Sequence, residues 1–327
     1  MPVHRSPLNL AVSGQPAFQL PNALLEVAVG QFTMTTLVDF DASTLMTYDP
    51  STRRFIVVNP AGSASGEAYM TQSGTRWTLL GDYNTGATYP VTPYCIASDG
   101  GGTILLGGYT DLSPTKIRRT VNGGGSWQEV NIGASNADTV TGLGYSSALG
   151  LWFASTLNQG LFTSVDGTDF SWTLVSAPAT YMGNMYFRNT STPLVMFSAS
   201  SGPPGSGYFT TTDGVTITAR TFPVNFAYTR GCYSAYWNTF YANSATNTYT
   251  SSDAINWTLF DNYPTRLFAH EHLLLSSAGY LSPDGGYSWP SVLEVNGGSA
   301  DWIGSAYGRT LFRDGDTFLT SAATRVA

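Results

Sequence analysis

The chain is poor in charged residues. Only 11% of its 327 residues are Asp, Glu, Lys or Arg, against about a quarter in typical soluble proteins, and Lys116 is the one lysine. The formal net charge at pH 7 is −7. Because nucleic-acid binding needs clustered Lys and Arg to displace counterions from phosphates, we expect no nucleic-acid partner. The abundant Gly, Ser, Thr, Asn and Tyr residues instead predict a polar but uncharged surface.

Long apolar runs are missing as well. No segment is apolar over the length needed to cross a bilayer, so we expect no membrane insertion. The residues after Met1 lack the continuous apolar segment of a signal peptide, so we expect the mature chain to start at or near Met1. His270-Glu271-His272 could place two imidazoles on one strand face, but it falls in a predicted turn and the only other histidine is His4. We therefore expect no metal and no cofactor.

What the chain does contain is a repeated turn motif. Its fullest copy, Ser-Pro-Asp-Gly-Gly-Tyr-Ser-Trp at residues 282–289, is matched position for position by residues 120–127. A hydroxyl residue precedes an Asp or Asn whose side chain can accept hydrogen bonds from nearby backbone N–H groups, and Gly follows for positive φ. The final Trp starts the next strand and is large enough to pack between neighbouring sheets. Four looser copies end at Trp77, Trp172, Ile217 and Trp257, giving a period of about 32 to 50 residues.

This motif resembles the Asp-box, or BNR, repeat of sialidases, sortilin-type receptors, xyloglucanases and photosystem assembly factors. Its copies cover about residues 70–290. The resemblance implies a β-propeller in which the box residues hold turns on the rim of one face, while substrates usually bind at the opposite face. The box residues, for which we expect a structural role, are Asn122, Trp127, Asp166, Trp172, Asp213, Asp253, Trp257, Asp284 and Trp289.

Short apolar segments separated by turn signals also predict an all-β protein. From Leu45 onward each unit has two apolar strands, a third that ends in the motif, and a fourth that begins at its aromatic residue. The last unit has only three strands, and a strand from residues 23–29 or 32–38 would complete its sheet and remove the free edges. We predict a single β-propeller of seven four-stranded blades with three-plus-one closure. Six blades with an appended segment is the alternative.

The predicted propeller spans residues 23–327 and follows an extended arm at residues 1–22. Pro7, Pro16 and Pro21 argue against regular structure in that arm, and we expect it to dock on another chain. Cys95 and Cys232 fall in the predicted inner strands of the second and fifth blades, on opposite sides of the ring. That separation is too large for a disulfide, so we expect two free, buried thiols.

The signs of catalysis are weak. A sialidase needs three arginines around the substrate carboxylate, but nothing in the spacing of Arg188, Arg230 and Arg266 makes them converge, and the expected Arg-Ile-Pro motif is missing. A glycosidase needs two facing carboxylates, and no pair stands out among the acids outside the boxes. These are Asp39, Asp41, Glu67, Asp82, Asp111, Asp138, Asp261, Glu294 and Asp301. The sequence favours a protein that is not an enzyme; if it is one, a glycoside hydrolase is indicated.

The predicted loops offer a recognition surface instead. Tyrosine gives broad contact area at low entropic cost, and neighbouring amides and hydroxyls adapt to partner groups, although these can equally be ordinary loop residues. The candidate binding residues are Tyr83, Tyr89, Tyr109, Tyr181, Tyr228 and Tyr263.

Our leading hypothesis is a structural or receptor-binding propeller of a virion: a phage tail, fibre or decoration component, present in several copies. Its partners would be other virion proteins, or a glycan or protein of the host surface. One alternative is an Asp-box glycoside hydrolase or carbohydrate-binding protein, and another is an intracellular assembly factor. The corresponding alternative locations are extracellular and cytoplasmic.

Overall fold

The computed structural model describes most of the chain between residues 33 and 322. The described residues are 33–35, 45–59, 66–72, 77–88, 90–110, 115–134, 138–176, 182–199, 207–223, 230–243, 247–261, 267–270, 273–276, 280–282, 285–286, 291–292, 301–306, 309–314 and 317–322. Within them all regular elements are β-strands, which form seven four-stranded antiparallel sheets. In that part of the chain, no helix is long and apolar enough to span a membrane.

Six sheets are built from four strands that follow one another in the chain. Sheet 1 contains β2 (Leu45–Asp49), β3 (Arg54–Asn59), β4 (Glu67–Thr71) and β5 (Thr78–Asp82). Sheet 2 contains β6 (Thr92–Ser98), β7 (Ile104–Tyr109), β8 (Lys116–Thr120) and β9 (Gln128–Asn131). Sheet 3 contains β10 (Val140–Ser146), β11 (Leu151–Thr156), β12 (Leu161–Ser164) and β13 (Thr173–Ser176).

The remaining sheets continue the pattern. Sheet 4 contains β14 (Met182–Arg188), β15 (Leu194–Ala199), β16 (Gly207–Thr211) and β17 (Thr218–Thr221). Sheet 5 contains β18 (Arg230–Ser234), β19 (Thr239–Asn243), β20 (Thr248–Ser251) and β21 (Thr258–Asp261). Sheet 6 contains β22 (Leu267–His270), β23 (Leu273–Ser276), β24 (Tyr280–Ser282) and β25 (Ser291–Val292). Sheet 7 contains β26 (Asp301–Ala306), β27 (Arg309–Asp314), β28 (Thr317–Ala322) and, from the other end of the chain, β1 (Thr33–Thr35).

The first strands of the sheets line the centre of the molecule. β2 lies against β6 and β26, β10 against β6 and β14, and β18 against β14 and β22. The fourth strands are therefore outermost, and the molecule is the all-β propeller that the sequence predicts. β1 pairs with β28, with Thr33 opposite Thr320, so the N-terminal strand comes from the second of the two predicted segments. The first segment, residues 23–29, and the predicted arm, residues 1–22, lie outside the described residues.

Strand direction gives the propeller two distinct ends. Because neighbouring strands are antiparallel, each first strand begins at the end of the propeller where each fourth strand finishes. We call this the mouth end. The turns that join third to fourth strands lie at the opposite end.

These opposite turns carry the repeated motif in sheets 2 to 5, at residues 120–126, 164–171, 211–216 and 251–256, and we call them the capped turns. In the third of them the Asp213 carboxylate accepts the backbone N–H groups of Val215 and Thr216 at 2.8 and 2.7 Å. Gly214 donates its N–H to the Thr211 hydroxyl at 2.9 Å. Gly214 has a φ of +77°, a backbone conformation that residues with a side chain rarely adopt, and a Cβ there would lie 2.5 Å from Leu151 Cδ1. Backbone conformation and packing therefore both favour glycine at this position. The corresponding acceptors in the other capped turns are Asn122, Asp166 and Asp253.

The Asp213 hydrogen bonds predict a pH-dependent contribution to stability. The N–H groups of Val215 and Thr216 lower the pKa of Asp213 from its ordinary value of 3.8 to about 2. A carboxyl whose pKa is lower in the folded state stabilises the fold above its ordinary pKa, and that contribution is lost as the pH falls through the folded value. We expect Asp213→Asn to lower the free energy of unfolding by up to about 1 kcal/mol at pH 6, since solvent screens this exposed group.

Urea denaturation at pH 6, 4 and 2.5 checks this expectation. The difference between Asp213→Asn and the wild type should shrink as the pH approaches 2. The matched control is Asn122→Asp, which makes the reverse exchange at the equivalent position of another capped turn and should gain stability at pH 6 but not at pH 2.5. A difference that does not change with pH would contradict the assignment.

Aromatic side chains of the fourth strands and capped turns pack between adjacent sheets. Trp127 of sheet 2 lies edge-on to Tyr83, which follows sheet 1, at 6.4 Å between ring centroids. Trp172 of sheet 3 joins the cluster that contains Leu105 of sheet 2. Trp257 of sheet 5 lies 6.0 Å from Tyr208 of sheet 4. The expected position of the Trp residues between sheets is therefore observed at these three.

Tyr208 links sheets 4 and 5 through its hydroxyl. The buried hydroxyl donates to the Ala254 carbonyl at 2.6 Å and accepts the Trp257 indole N–H at 2.9 Å. We expect Tyr208→Phe to lower the free energy of unfolding by about 2 kcal/mol, because it leaves both of these groups without that partner. Tyr233→Phe is the control: its hydroxyl binds Asn238 at 2.9 Å in an exposed position, and its loss should cost less than about 0.5 kcal/mol. Equal losses by urea denaturation would show that the link does not stabilise the interface.

Candidate functional site

A cavity of about 300 Å³ is lined by first and middle residues of five of the first strands. It therefore lies in the half of the propeller nearer the mouth end, opposite the capped turns, where the sequence resemblance places ligands. The lining residues come from β2, β6, β10, β14 and β18, and they are Leu45, Met46, Tyr94, Cys95, Ile96, Thr141, Gly142, Leu143, Asn184, Met185, Tyr186 and Gly231.

A β-bulge interrupts the ladder in three consecutive first strands beside this cavity. The pairing with the second strand shifts between Pro93 and Cys95 in β6, between Val140 and Gly142 in β10, and between Met182 and Met185 in β14. A bulge inserts one extra residue and redirects its side chain. Tyr94 and Thr141 are the extra residues in the first two strands, and Asn184 lies within the third bulge. All three line the cavity.

Glycines make these bulges possible. Gly108 of β7 lies opposite Pro93, and a Cβ on it would collide with the Thr92 carbonyl group and the Pro93 Cα. A Cβ on Gly142 would lie 2.8 Å from the Gly183 carbonyl oxygen and from Ser155 Oγ. The close approach of backbone to backbone therefore depends on the missing side chains.

The described lining of the cavity is uncharged. It contains no Asp, Glu, Lys, Arg or His, and its polar groups are two phenols, a hydroxyl, an amide and a thiol. The Thr141 hydroxyl donates to the Ser155 carbonyl at 3.3 Å. The Cys95 thiol donates to the Val140 carbonyl at 3.6 Å. Burial raises the pKa of the Cys95 thiol far above its ordinary value, so it stays protonated and is a poor nucleophile at neutral pH.

The two cysteines are both free, as predicted, and both residues are half-buried where the sequence predicted full burial. Cys232 lies in β18, and burial raises the pKa of its thiol as it does for Cys95. Neither thiol is thus available as a reactive group at neutral pH.

The predicted binding tyrosines do not form one surface in the described part of the chain. Tyr83 is 1% exposed and packs with Leu106 and Trp127. Its ring lies so close to Gly66 that a Cβ on that residue would collide with it. Its predicted contact role is therefore wrong, because the neighbouring sheet covers it. Tyr109 ends β7 at the mouth end and is 42% exposed. Tyr89, Tyr181, Tyr228 and Tyr263 lie outside the described residues.

The candidate acids whose side chains the structure describes accept hydrogen bonds from other groups of the chain. Glu67 accepts the Tyr69 hydroxyl, Asp82 accepts the N–H groups of Gly66 and Asn84, and buried Asp138 accepts those of Thr139 and Asn158. None of these three acids lines the cavity. Asp39, Asp41, Asp111 and Glu294 lie outside the described residues, as do the side chains of Asp261 and Asp301.

The arginines and histidines do not complete a site among the described residues. Arg188, at the end of β14 away from the cavity, donates to the carbonyls of Thr192 and Ser252 at 2.8 Å each. Arg266, Glu271 and His272 lie outside the described residues, as do the side chains of Arg230 and His270 and the box residues Asp284 and Trp289. In the part of the chain that is described, no group of three or more His, Cys, Asp or Glu is placed to hold a metal ion.

Sequence reasoning missed Tyr94, Thr141 and Asn184 as site residues. A signal was present, since Gly107, Gly108, Gly142 and Gly183 fall inside strands or next to them, where glycine often marks a bulge or a close backbone approach. Gly142 and Gly183 lie near the start of successive units, and Gly107 and Gly108 lie in the strand that pairs with the start of β6, so the residues beside them were candidates for redirected side chains.

No protein-family model matches the sequence, and no curated protein matches it. Solved structures do match. A structure of YCF48 bound to D1 peptide is 14% identical, with 91% of this chain and 96% of that chain covered and a TM-score of 0.63. A catalytically inactive virginiamycin B lyase from Staphylococcus aureus with quinupristin is 11% identical, with 89% and 98% covered and a TM-score of 0.66.

A third similar structure is PorZ, a bacterial surface component of the type-IX secretion system of Porphyromonas gingivalis. It is 12% identical, with 88% of this chain and 48% of that chain covered and a TM-score of 0.61. At such identities the likeness shows the fold alone, and the fold is the β-propeller.

Proposed function

We propose that the protein is a non-enzymatic recognition propeller that binds a partner protein at its mouth end. The observation that carries this proposal is the set of three bulges that turn Tyr94, Thr141 and Asn184 toward one cavity. Each bulge gives up regular ladder pairing, and bulges concentrate where a side chain is re-aimed for function. Three in consecutive first strands favour a binding site.

Binding is favoured over hydrolysis by the chemistry around the cavity. A glycosidase needs two carboxyl groups that face each other across the substrate. Glu67, Asp82 and Asp138 instead accept hydrogen bonds from the Tyr69 hydroxyl and from the backbone N–H groups of Gly66 and Asn158, respectively. The buried, protonated Cys95 thiol offers no nucleophile at neutral pH.

A protein partner is favoured because an aromatic side chain is exposed at the cavity beside an exposed amide. Tyr94 is 56% exposed although it lies in a first strand, and tyrosines that present a rigid ring beside adaptable polar groups are typical of protein recognition. The YCF48 structure with the same fold holds a peptide, which is a precedent for this class of partner.

A photo-crosslinking amino acid placed at position 94 tests this proposal in the native source material. The expected result is a discrete crosslink to one partner protein from position 94. The control position is Tyr236, which is exposed between β18 and β19 at the opposite end, outside the capped turns, and should not give that product. Equal crosslinking from both positions, or crosslinking from position 236 alone, would refute binding at the mouth.

We further propose that the capped turns are Asp-box repeats and that the protein is a structural or receptor-binding component of a phage particle, present in several copies. The low charge and the predicted arm support this. So does a series of exposed apolar residues on the capped turns, which are suited to contacts with neighbouring subunits: Val121, Val165, Phe170, Val215 and Ile255.

Negative-stain microscopy of virions labelled with antibody against this chain tests the virion assignment. Label on a tail or capsid is expected. Free protein without particle label would instead favour one of the alternatives, a glycoside hydrolase or an assembly factor, and a glycan-cleavage screen separates those two.

A further inference from the structure

We propose that the cavity accepts a single uncharged side chain of the partner, aromatic or branched aliphatic, whose polar edge is held at the mouth by Tyr94 and Asn184. This inference rests on the proposed function and specifies what the mouth end binds. The charge of the cavity, the polarity of its lining and its size support it.

The charge of the lining restricts what the cavity can bind. The described lining has no ionisable group of either sign apart from phenols and one protonated thiol. A carboxylate, phosphate or ammonium group that entered would lose its hydration without gaining an ionic partner, which is unfavourable. Acidic and basic side chains and anionic sugars are therefore disfavoured as occupants.

The polar and apolar side chains of the lining differ in exposure. Tyr94 and Asn184 are exposed, whereas the residues that follow them along the same strands, Ile96 and Met185, are half-buried, and Leu143 of β10 is buried. In β6 and β14 an exposed polar side chain therefore precedes a half-buried apolar one, while apolar residues line the cavity from the start of β2. A side chain with an apolar body and a polar edge matches this mixed lining.

The size of the cavity and the adaptability of its side chains also restrict its occupant. At about 300 Å³ the cavity is at the small end of ligand pockets. It is thus suited to one large side chain. Met46 and Met185 are unbranched and polarisable, so they can adapt to rings of different shape. A sugar ring fits less well, because its hydroxyls lie all around its edge and those that reach the apolar part would lose hydration without a partner.

Saturation-transfer NMR on the full chain tests this with four small probes. N-acetyl-L-tyrosinamide and N-acetyl-L-leucinamide should give saturable binding. N-acetyl-L-glutamic acid amide and methyl β-D-glucopyranoside should give none. Tyr94→Ala should weaken the binding of the tyrosine probe by about tenfold, the effect of removing an anchoring contact.

Tyr236→Ala is the matched control, since Tyr236 is an exposed tyrosine between β18 and β19, at the end away from the mouth, and does not line the cavity; it should leave the affinity unchanged. Thermal unfolding of both variants verifies the fold. Binding of the sugar or glutamate probe in preference to the others would overturn the inference, and so would equal effects of the two substitutions. If the probes fail while the crosslink from position 94 persists, the proposed function stands and this ligand class is wrong; if the probes bind and the crosslink is absent, the cavity is real and the proposed partner is wrong.

Discussion

Gly108→Ala is expected to lower the free energy of unfolding by about 3 kcal/mol or more and to abolish binding at the cavity. The new Cβ would collide with the Thr92 carbonyl group and the Pro93 Cα, which are backbone atoms and cannot rotate away as a side chain can. Overpacking of this kind costs about 1 to 3 kcal/mol, and more when the backbone must move. The movement would occur at the bulge that directs Tyr94, so stability and binding should be lost together.

Gly207→Ala is the matched control for this experiment. Gly207 begins β16, and a Cβ there would meet nothing closer than the Arg220 carbonyl oxygen at 3.6 Å. We expect its free energy of unfolding, measured by urea denaturation, to stay within about 0.5 kcal/mol of the wild type. If Gly108→Ala behaves in the same way, the close approach at the bulge is not a constraint on the fold.

Deletion of residues 1–38 is expected to lower the midpoint of thermal unfolding by about 10 °C or more and to cause aggregation. The deletion removes β1 and leaves β28 with an unpaired edge. An open edge of this kind exposes backbone N–H and C=O groups to pairing with other chains. It also leaves the last sheet with three strands, so strand pairing no longer joins the N-terminal and C-terminal parts of the chain.

The shorter deletion of residues 1–20 is the control, because it removes only the predicted arm. We expect it to leave a folded, soluble propeller that no longer assembles, with a nearly unchanged unfolding midpoint by differential scanning fluorimetry and a smaller particle by light scattering. Loss of folding in this shorter deletion would place the arm inside the ring closure. An unchanged midpoint in the longer deletion would show that sheet 7 is stable without β1.

The repeated turn was readable because its contacts are local. Thr211, Asp213 and Gly214 satisfy one another through hydrogen bonds that span two or three residues, so residue type and order predict the geometry. The N-terminal strand was different, since residues 23–29 and 32–38 were equally good candidates by composition. Only the pairing of Thr33 with Thr320, almost the full length of the chain away, selects the second.

The binding residues were predictable only in part for the same reason. Tyr83 and Tyr94 are both tyrosines near turns, but Trp127 and Leu106 of the next sheet bury the first, while a bulge opposite Gly108 exposes the second. Neither outcome is encoded within the few residues around each tyrosine.

The all-β class and the repeated turn with its acceptor side chains follow from the sequence, because they depend on residue type and on neighbours a few positions away. The two free cysteines follow from the repeat, which places them on opposite sides of the ring. The tertiary structure alone decided which N-terminal segment pairs with β28, which tyrosine is covered and which side chains line the cavity. Those depend on contacts between strands that are far apart in the chain, where packing and the exclusion of water act on whole sheets.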